Sequence, residues 1–260
     1  MKRAAGTGGG PVRVVILGAP GRMGVSLVRL LPQFPGLTLQ AAVATAANPA
    51  LGRDSGELAG AAPNGVRVRA DVGPALQGAG LALDFSTPAA AAAHVSACAE
   101  ARVPLLLGTT GLGPDLPALI AEAARVIPLL VTANTSLGVA VLQDLVRSAA
   151  AALGTVFEVQ VRDTHHAAKR DAPSGTALAL GAAASEGGRI PPDRIGYASI
   201  RGGDVVGDHE VHFLGHGERL CLSHSATDRS VFARGALQAG SWLARRSPGF
   251  YGMVDVLREK

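Results

Sequence analysis

The feature that most constrains the fold is a short β-branched run that ends in a glycine turn and continues as a helical pattern. Residues 12–17 read VRVVIL, the turn GAPGRMG follows, and VSLVRLLPQF comes directly after it. This order predicts a buried strand, a tight turn and an amphipathic helix. Gly18, Gly21 and Gly24 would let the turn pack closely and leave N–H groups of the helix start facing a phosphate.

Short apolar runs recur through the first half of the chain and alternate with longer, mostly alanine-rich segments. This alternation predicts a Rossmann-like, doubly wound parallel sheet with helices on both faces. The further strands are predicted at 37–43, 66–68, 81–85, 103–107 and 128–131.

The pattern changes after Ser136, where the runs become more alternating and β-branched. These runs indicate an antiparallel or mixed sheet, and we predict a second α+β domain with an open mixed sheet. Its strands are predicted at 156–161, 195–200, 210–213, 219–223 and 230–233, and helices at 235–245 and 254–260.

Two domains of ordinary size suit a chain of 260 residues. We place the first at 1–135 and the second at 136–240, with 241–260 returning to the first. Residues 1–10 are glycine-rich and cannot bury enough apolar surface to offset ordering, so they are predicted to be a flexible tail.

Composition argues against several classes of protein. Cys98 and Cys221 are the two cysteines and have no metal or redox spacing, which favours a reducing compartment. No apolar run approaches the ~20 residues of a membrane span, so we expect a soluble, cytoplasmic protein without a membrane partner. The formal charge of +4 is modest and the basic residues are scattered, so we expect small anionic ligands and no nucleic acid.

The glycine turn departs from the usual dinucleotide fingerprint. Its spacing is G-x-x-G-x-x-G, and Pro20 offers no N–H donor. A turn that uses glycines only for packing is the alternative. The second strand ends in Val43-Ala44-Thr45-Ala46 without an acid, so nothing there would repel the 2′-phosphate of NADPH, and Arg22 or Arg53 could attract it.

Two more strands run into loops of small and hydroxyl residues, LLLGTTG at 105–111 and VTANTSLG at 131–138. Ligands bind at the carboxyl edge of doubly wound sheets, so Thr109, Thr110 and Asn134 are candidates to position a nicotinamide ring. Ordinary turns or helix caps are the alternative.

The segment 163–176, DTHHAAKRDAPSGT, is the densest in chemistry-bearing residues. Hydride addition to a polarised double bond leaves charge that a proton must neutralise, and His165 or His166 can donate one near neutral pH. Lys169 can neutralise a carboxylate or a developing anion, or relay a proton. Structural histidines at a strand end are the alternative.

The same segment ends in a helix entry. Ser174, Gly175 and Thr176 precede the helical ALALGAAA, so their N–H groups predict an anion-binding site that suits a carboxylate.

A second polar cluster, 204–216, contains three histidines and three acidic residues. In a strand His209 and His212 point to opposite faces and the spacing matches no common zinc site. We therefore predict no metal and interpret the cluster as an exposed or interface-facing hairpin.

Taken together, the chain resembles the 4-hydroxy-tetrahydrodipicolinate (dihydrodipicolinate) reductases over nearly its whole length. The resemblance rests on GAPGRMG at 18–24, LGRDSGELAG at 51–60, DFSTP at 84–88, GTTG at 108–111, ANTSLGV at 133–139, HHAAKRDAPSGTA at 165–177 and RGGDVVGDHEVHF at 201–213.

The resemblance implies an enzyme that uses NADPH or NADH to reduce a small cyclic dicarboxylate in diaminopimelate and lysine biosynthesis. It implies a dinucleotide-binding first domain and a substrate-binding second domain that builds a homotetramer, with no metal. By the same resemblance the catalytic residues are His165 and Lys169, and the substrate contacts are His166, Gly175 and Thr176. The implied cofactor contacts are Gly18, Ala19, Pro20, Gly21, Arg22, Met23, Gly108, Thr109, Thr110, Thr132, Ala133, Asn134 and Thr135.

Two positions depart from the family pattern. Pro20 stands where the phosphate loop usually has glycine, and Ala44-Thr45 replace a common acidic–basic pair, which leaves the NAD or NADP preference open. A reductase of another small substrate and a non-catalytic NAD(P)-binding regulatory homologue remain as alternative functions.

Overall fold

The computed structural model describes residues 10–114 and 116–258, so the predicted tail lies outside the described residues except for Gly10. The chain divides into two compact units. The first comprises Met1–Thr132 with Ala236–Tyr251, and the second Ala133–Gly235 with Gly252–Lys260.

The first unit is built on a seven-stranded parallel sheet. With elements numbered along the chain, the strand order is β11-β6-β5-β4-β1-β2-β3. The strands are β1 Val12–Leu17, β2 Leu37–Val43, β3 Val68–Arg69, β4 Leu81–Asp84, β5 Leu105–Leu107, β6 Pro128–Val131 and β11 Gly249–Tyr251. The helices are α1 Arg22–Leu30, α2 Ser55–Leu58, α3 Val72–Leu76, α4 Pro88–Ala101, α5 Leu116–Ala123 and the later part of α8 Ser230–Leu243.

Helices cover both faces of this sheet. Val15 and Leu105 belong to an apolar cluster with residues of α3, α4 and α5 on one face. On the other face α8 packs so closely that a Cβ on Gly240 would lie 2.7 Å from Leu81 and 2.9 Å from Leu83. Strands buried on both sides read as continuous apolar runs, which is why the sequence pattern located them. The predicted Rossmann-like fold is confirmed.

The second unit carries a four-stranded mixed sheet in the order β10-β9-β7-β8. Its strands are β7 Glu158–His165, β8 Ile195–Arg201, β9 Gly207–Leu214 and β10 Arg219–Ala226, with β7 and β8 parallel and the other pairs antiparallel. Its helices are α6 Leu137–Leu153, α7 Gly175–Gly188 and α9 Met253–Arg258. Residues of α6 and α7 share a buried cluster with Val159 and Phe213, so one face of the sheet is covered and alternate side chains occupy the open face. The predicted α+β domain is confirmed.

Three elements differ from the sequence prediction. Residues 230–233 were predicted as a strand but form the first turn of α8, because Asp228 Oδ1 accepts the N–H of Ser230 at 2.6 Å and starts a helix. The short strand β11 was not predicted. Residues 252–260 were assigned to the first domain but belong to the second unit, since α9 packs against α6 and Arg258 pairs with Asp144 at 3.2 Å.

One stretch in the described part of the chain, Leu137–Val156, is long and apolar enough to cross a membrane by length and composition alone. No such stretch was predicted from the sequence. It consists of α6 and the turn after it, and α6 makes extensive contact with α7 within the second unit.

Candidate active site

The glycine turn after β1 has the close packing that its sequence predicts. Gly18 has a φ of +83°, a left-handed conformation that favours glycine. A Cβ on Gly24 would lie 2.4 Å from the carbonyl oxygens of Gly18 and Ala19. The N–H groups of Gly18 and Ala19 donate to Val43 O at 2.9 and 3.0 Å, so the turn is fixed to the end of β2.

The start of α1 offers the backbone N–H donors of this turn. Gly21 is the N-cap and supplies no side-chain cap, so the N–H groups of Arg22 and Met23 have no intrahelical acceptor. The N–H of Gly21 is already donated to Gly18 O at 3.0 Å, and Pro20 has none. Only part of the predicted 18–23 segment therefore offers backbone donors to an anion.

A cleft of about 280 Å³ opens beside the turn. Its wall includes the glycine turn and the end of β2, where Thr45 and Asn48 are polar and uncharged. None of the described residues that line it is a carboxylate. Together with the helix start, this cleft fits a dinucleotide and tolerates a 2′-phosphate.

A hydrogen-bonded aspartate–histidine pair lies next to this cleft and was missed from the sequence. Asp84, at the end of β4, is fully buried and its Oδ2 lies 2.8 Å from Nδ1 of His94, which lines the cleft. Asp84 Oδ1 accepts the N–H of Ser86 at 2.8 Å and the hydroxyl of Thr109 at 3.4 Å. An acid at the end of a parallel strand was the available signal.

The two loops predicted to hold nicotinamide differ in what they expose. Thr109 is buried, whereas Thr110 is exposed. Gly108 has no room for a side chain, because a Cβ there would lie 2.1 Å from the Phe85 ring. In the other loop the N–H of Thr132 donates to Leu107 O at 3.0 Å and continues the sheet edge.

Residues 133–135 belong to the second unit. Asn134 Nδ2 donates to Thr176 Oγ1 at 2.9 Å, so a predicted cofactor residue contacts a predicted substrate residue. Thr135 donates its hydroxyl to Phe232 O at 2.6 Å. Ala133 has no side chain beyond Cβ with which to bind a ligand.

His165 ends β7 and is held by Asp163, its neighbour on the same face of the strand. Asp163 Oδ2 lies 2.8 Å from His165 Nδ1, so Nε2 is the nitrogen left for chemistry. Burial lowers the pKa of His165, and the charge of Lys169 lowers it further, while Asp163 opposes both. His165 is thus favoured in its neutral form near pH 7.

Asp163 is itself fixed by two side chains of β8. Ser199 donates its hydroxyl to Oδ1 at 2.6 Å, and Arg201 Nη1 lies 2.8 Å from Oδ2. Burial raises the pKa of Asp163, but these hydrogen bonds and the charge of Arg201 outweigh it and leave the pKa below its usual value. Asp163, Ser199 and Arg201 were not predicted as site residues, although the two-residue spacing of Asp163 and His165 on a strand was a usable signal.

Lys169 lies in the turn after β7, where its N–H donates to His166 O at 3.1 Å. Its Nζ pairs with Asp171 Oδ2 at 2.9 Å. This hydrogen bond and charge lower the pKa of Asp171. His166 is half-buried, in the same turn.

The start of α7 has the predicted features of an anion site. Ser174 is the N-cap, and its Oγ accepts the N–H of Ala177 at 3.1 Å. The N–H groups of Gly175 and Thr176 have no intrahelical acceptor, and Gly175 is exposed with nothing within 4 Å of where a Cβ would stand. Because the Ser174 N–H is 3.5 Å from Asp163 Oδ1, this helix start adjoins the His165 pair.

The interpretation of 204–216 as an exposed or interface hairpin is wrong for His209. β9 is paired on both sides, and His209 is buried on the covered face. Its ring centroid lies 5.1 Å from that of His165.

On the open face Glu210, His212 and Cys221 bring their polar atoms within 4.8 Å of one another, a set that could hold a metal ion. Glu210 already pairs with His212 at 2.9 Å and with Arg162 at 2.5 Å. We interpret this set as a surface ion-pair network.

A dinucleotide cleft in one unit and a carboxylate-held histidine beside a helix start in the other define the class of protein as an NAD(P)-dependent oxidoreductase. The chain belongs to the dihydrodipicolinate reductase family. The family models match in two parts, "Dihydrodipicolinate reductase, N-terminus" over residues 12–135 and "Dihydrodipicolinate reductase, C-terminus" over 138–257. The family resemblance predicted from the sequence is confirmed.

Similar proteins cover nearly the whole chain. The 4-hydroxy-tetrahydrodipicolinate reductase of Anaeromyxobacter dehalogenans (strain 2CP-C) is 47% identical over 94% of this chain and 97% of its own. That of Methylocella silvestris is 44% identical over 95% and 97%. The dipicolinate-bound dihydrodipicolinate reductase of Paenisporosarcina sp. TG-14 has the same fold, with a TM-score of 0.78 at 23% identity over 93% of this chain and 97% of that chain.

Proposed function

We propose that this protein reduces 4-hydroxy-tetrahydrodipicolinate to tetrahydrodipicolinate, with loss of water, at the expense of NADPH or NADH. The reaction would serve diaminopimelate and lysine biosynthesis in the cytoplasm. Relatives that carry this name match the chain almost from end to end. The observation that carries the proposal is the cluster at the end of β7, where Asp163 holds His165 close to the uncapped start of α7.

Separate groups of residues are proposed to bind the cofactor and the substrate. The cofactor, when bound, supplies the hydride, and the N–H donors of Arg22 and Met23 with the cleft beside β2 are suited to its phosphates and ribose. The N–H groups of Gly175 and Thr176 would bind one substrate carboxylate, with His166 as a further contact.

Hydride addition leaves negative charge on the substrate, which one proton must neutralise. Lys169 Nζ is the proposed proton donor, and His165 Nε2, which carries no proton in the neutral ring, is the proposed proton acceptor. His165 is held in one orientation by Asp163, and its lowered pKa keeps the ring neutral and Nε2 free to accept a proton. Lys169 would also balance the charge of the substrate.

We propose that the open face of the four-stranded sheet forms the contact between subunits of a homotetramer. That face carries Ile200, which is 47% exposed, together with the Arg162–Glu210–His212 network. Sedimentation equilibrium would test this, and a monomer at micromolar concentration would contradict it.

The activity is tested by following loss of NADH and NADPH absorbance with freshly prepared substrate. We expect turnover with the wild type, and with Lys169→Ala a fall of roughly 10²-fold with nearly unchanged nucleotide binding. Arg170→Ala removes an exposed neighbouring charge and is the matched control. Cofactor binding without turnover on this substrate would indicate a regulatory homologue instead, and turnover only on other carbonyl or imine substrates would indicate a different reductase.

A further inference from the structure

One lateral row of side chains crosses all four strands on the covered face of the second unit's sheet. His224 lies opposite His209, His209 opposite Asp163, and Asp163 opposite Ser199. Asp163 holds His165, as described above. The two further histidines of the row have no part in the proposed chemistry, and their place beside the catalytic pair calls for a physical role.

His209 is the most enclosed of these histidines. It is 3% exposed, and among the described residues neither ring nitrogen has a hydrogen-bond partner. Its ring meets His165 edge to face with centroids 5.1 Å apart, and lies 6.2 Å from His224. Because both nitrogens are closed off from the surface, His209 is not placed to bind a ligand and must act through its neighbours.

The surroundings of His209 keep its ring neutral. Burial is the largest cause that lowers its pKa, and the nearby His165 and His224 lower it as well; Asp163 and Asp208 oppose the shift, and the resulting pKa is about 4. His165 and Asp163 face it from β7, His224 faces it from β10, and Asp208 adjoins it on β9. A proton on His209 would therefore be costly near pH 7, which argues against a proton relay through this ring.

We propose that His209 is a positioning residue for His165: its neutral ring fills the space beside the imidazole, holds it in the orientation set by Asp163 and excludes water and positive charge. The shape and the neutrality of the His209 ring would produce this effect, since its nitrogens have no hydrogen-bond partner in the described chain. Its catalytic consequence rests on the proposed function, whereas the packing of the two rings does not.

Substitutions of His209 that keep a neutral ring and substitutions that remove the ring should affect His165 differently. His209→Phe keeps a flat, uncharged ring and removes two unpartnered nitrogens, so His165 should behave as in the wild type. His209→Ala opens a cavity beside His165, which frees the ring and admits water. His209→Asn is a second small variant, used if the alanine variant does not fold. His216→Ala, in the exposed turn after β9, is the matched control.

The test is an NMR titration of the His165 ring in each variant, with pH profiles of kcat beside it. We expect His209→Phe and His216→Ala to reproduce the wild-type titration. His209→Ala or His209→Asn should raise the pKa of His165 toward its ordinary value and lower kcat about tenfold.

Equal shifts in the phenylalanine and alanine variants, or none in either small variant, would overturn the proposal. If the titrations behave as expected but no variant nor the wild type reduces the dicarboxylate, the proposed function fails and the positioning role stands.

Discussion

Oδ2 of Asp163 lies 2.8 Å from Nδ1 of His165, and the same carboxylate is held by Ser199 and Arg201. The carboxylate can only accept hydrogen bonds, so it selects the ring form with a proton on Nδ1 and leaves Nε2 as the nitrogen without that proton. The orientation of His165, the residue proposed for proton transfer, is therefore set by Asp163 and by the two side chains that hold Asp163.

Asp163→Asn tests this relationship. The amide can offer its NH₂ instead of an oxygen, which allows the wrong tautomer of His165, and Arg201 loses its counter-ion. We expect kcat to fall roughly 10²-fold. Since Asp163 raises the pKa of His165, the acidic limb of the pH profile should move to lower pH.

Glu158→Gln is the control, because it neutralises an exposed acid on the same strand. An unchanged pH profile in Asp163→Asn would contradict the assigned role.

Gly24→Ala tests the glycine turn. The added Cβ would lie 2.4 Å from two carbonyl oxygens, so the turn must shift, at a cost of about 1–3 kcal/mol in the free energy of unfolding. We expect NADPH affinity, measured by fluorescence titration, to fall together with Tm. Gly36→Ala is the matched control, since nothing lies within 4 Å of its Cβ position. Wild-type affinity in Gly24→Ala would show that the turn does not bind phosphate.

Thr45→Asp tests the end of β2. An acid there would hydrogen-bond a ribose 2′-hydroxyl but repel a 2′-phosphate. We expect KM for NADPH to rise about tenfold or more, with KM for NADH unchanged or lower. Thr38→Asp, at the exposed other end of the same strand, should change neither. A parallel loss for both coenzymes would place the adenosine ribose elsewhere.

The depressed pKa of His209 predicts a pH-dependent stability. In the unfolded chain this histidine takes up a proton near its ordinary value of 6.5, whereas in the folded protein it does so only near 4. Keeping His209 neutral therefore costs no free energy of unfolding above pH 6.5. As the pH falls toward 4, the unfolded chain gains a proton that the folded protein does not take up, and the free energy of unfolding falls by about 3 kcal/mol.

Urea unfolding from pH 7 to 4 should therefore show a shallower loss of stability in His209→Phe than in the wild type. At pH 7 the variant should be at least as stable, because two unpartnered nitrogens are removed. Parallel curves would contradict the assigned pKa.

The sequence predicted the first unit well because its strands are buried on both faces. The mostly apolar runs predicted as strands at 12–17 and 37–43 match β1 and β2 residue for residue. In contrast, 230–233, SVFA, forms a helix because Asp228 caps it, and these four residues alone do not distinguish a strand from the first turn of a helix.

The site was predicted unevenly for a similar reason. His165 and Lys169 stand in one dense motif, so the sequence drew attention to them. Asp163 is supported by Ser199 and Arg201, about 40 positions away, and such partners become visible only when β8 pairs with β7. The roles of all these residues stay predictions until the variants are measured.

Successive side chains of β9 point alternately to the covered face and to the open face of the sheet, and neither set fits on the opposite face. His209 and Phe213 lie under the helices, whereas Glu210 and His212 lie on the open side. A slip of one residue would push a carboxylate into the apolar layer and turn Phe213 outward. The alternation of side chains therefore fixes the pairing register of β9. An insertion or deletion within this strand should abolish folding of the second unit and not only change its surface.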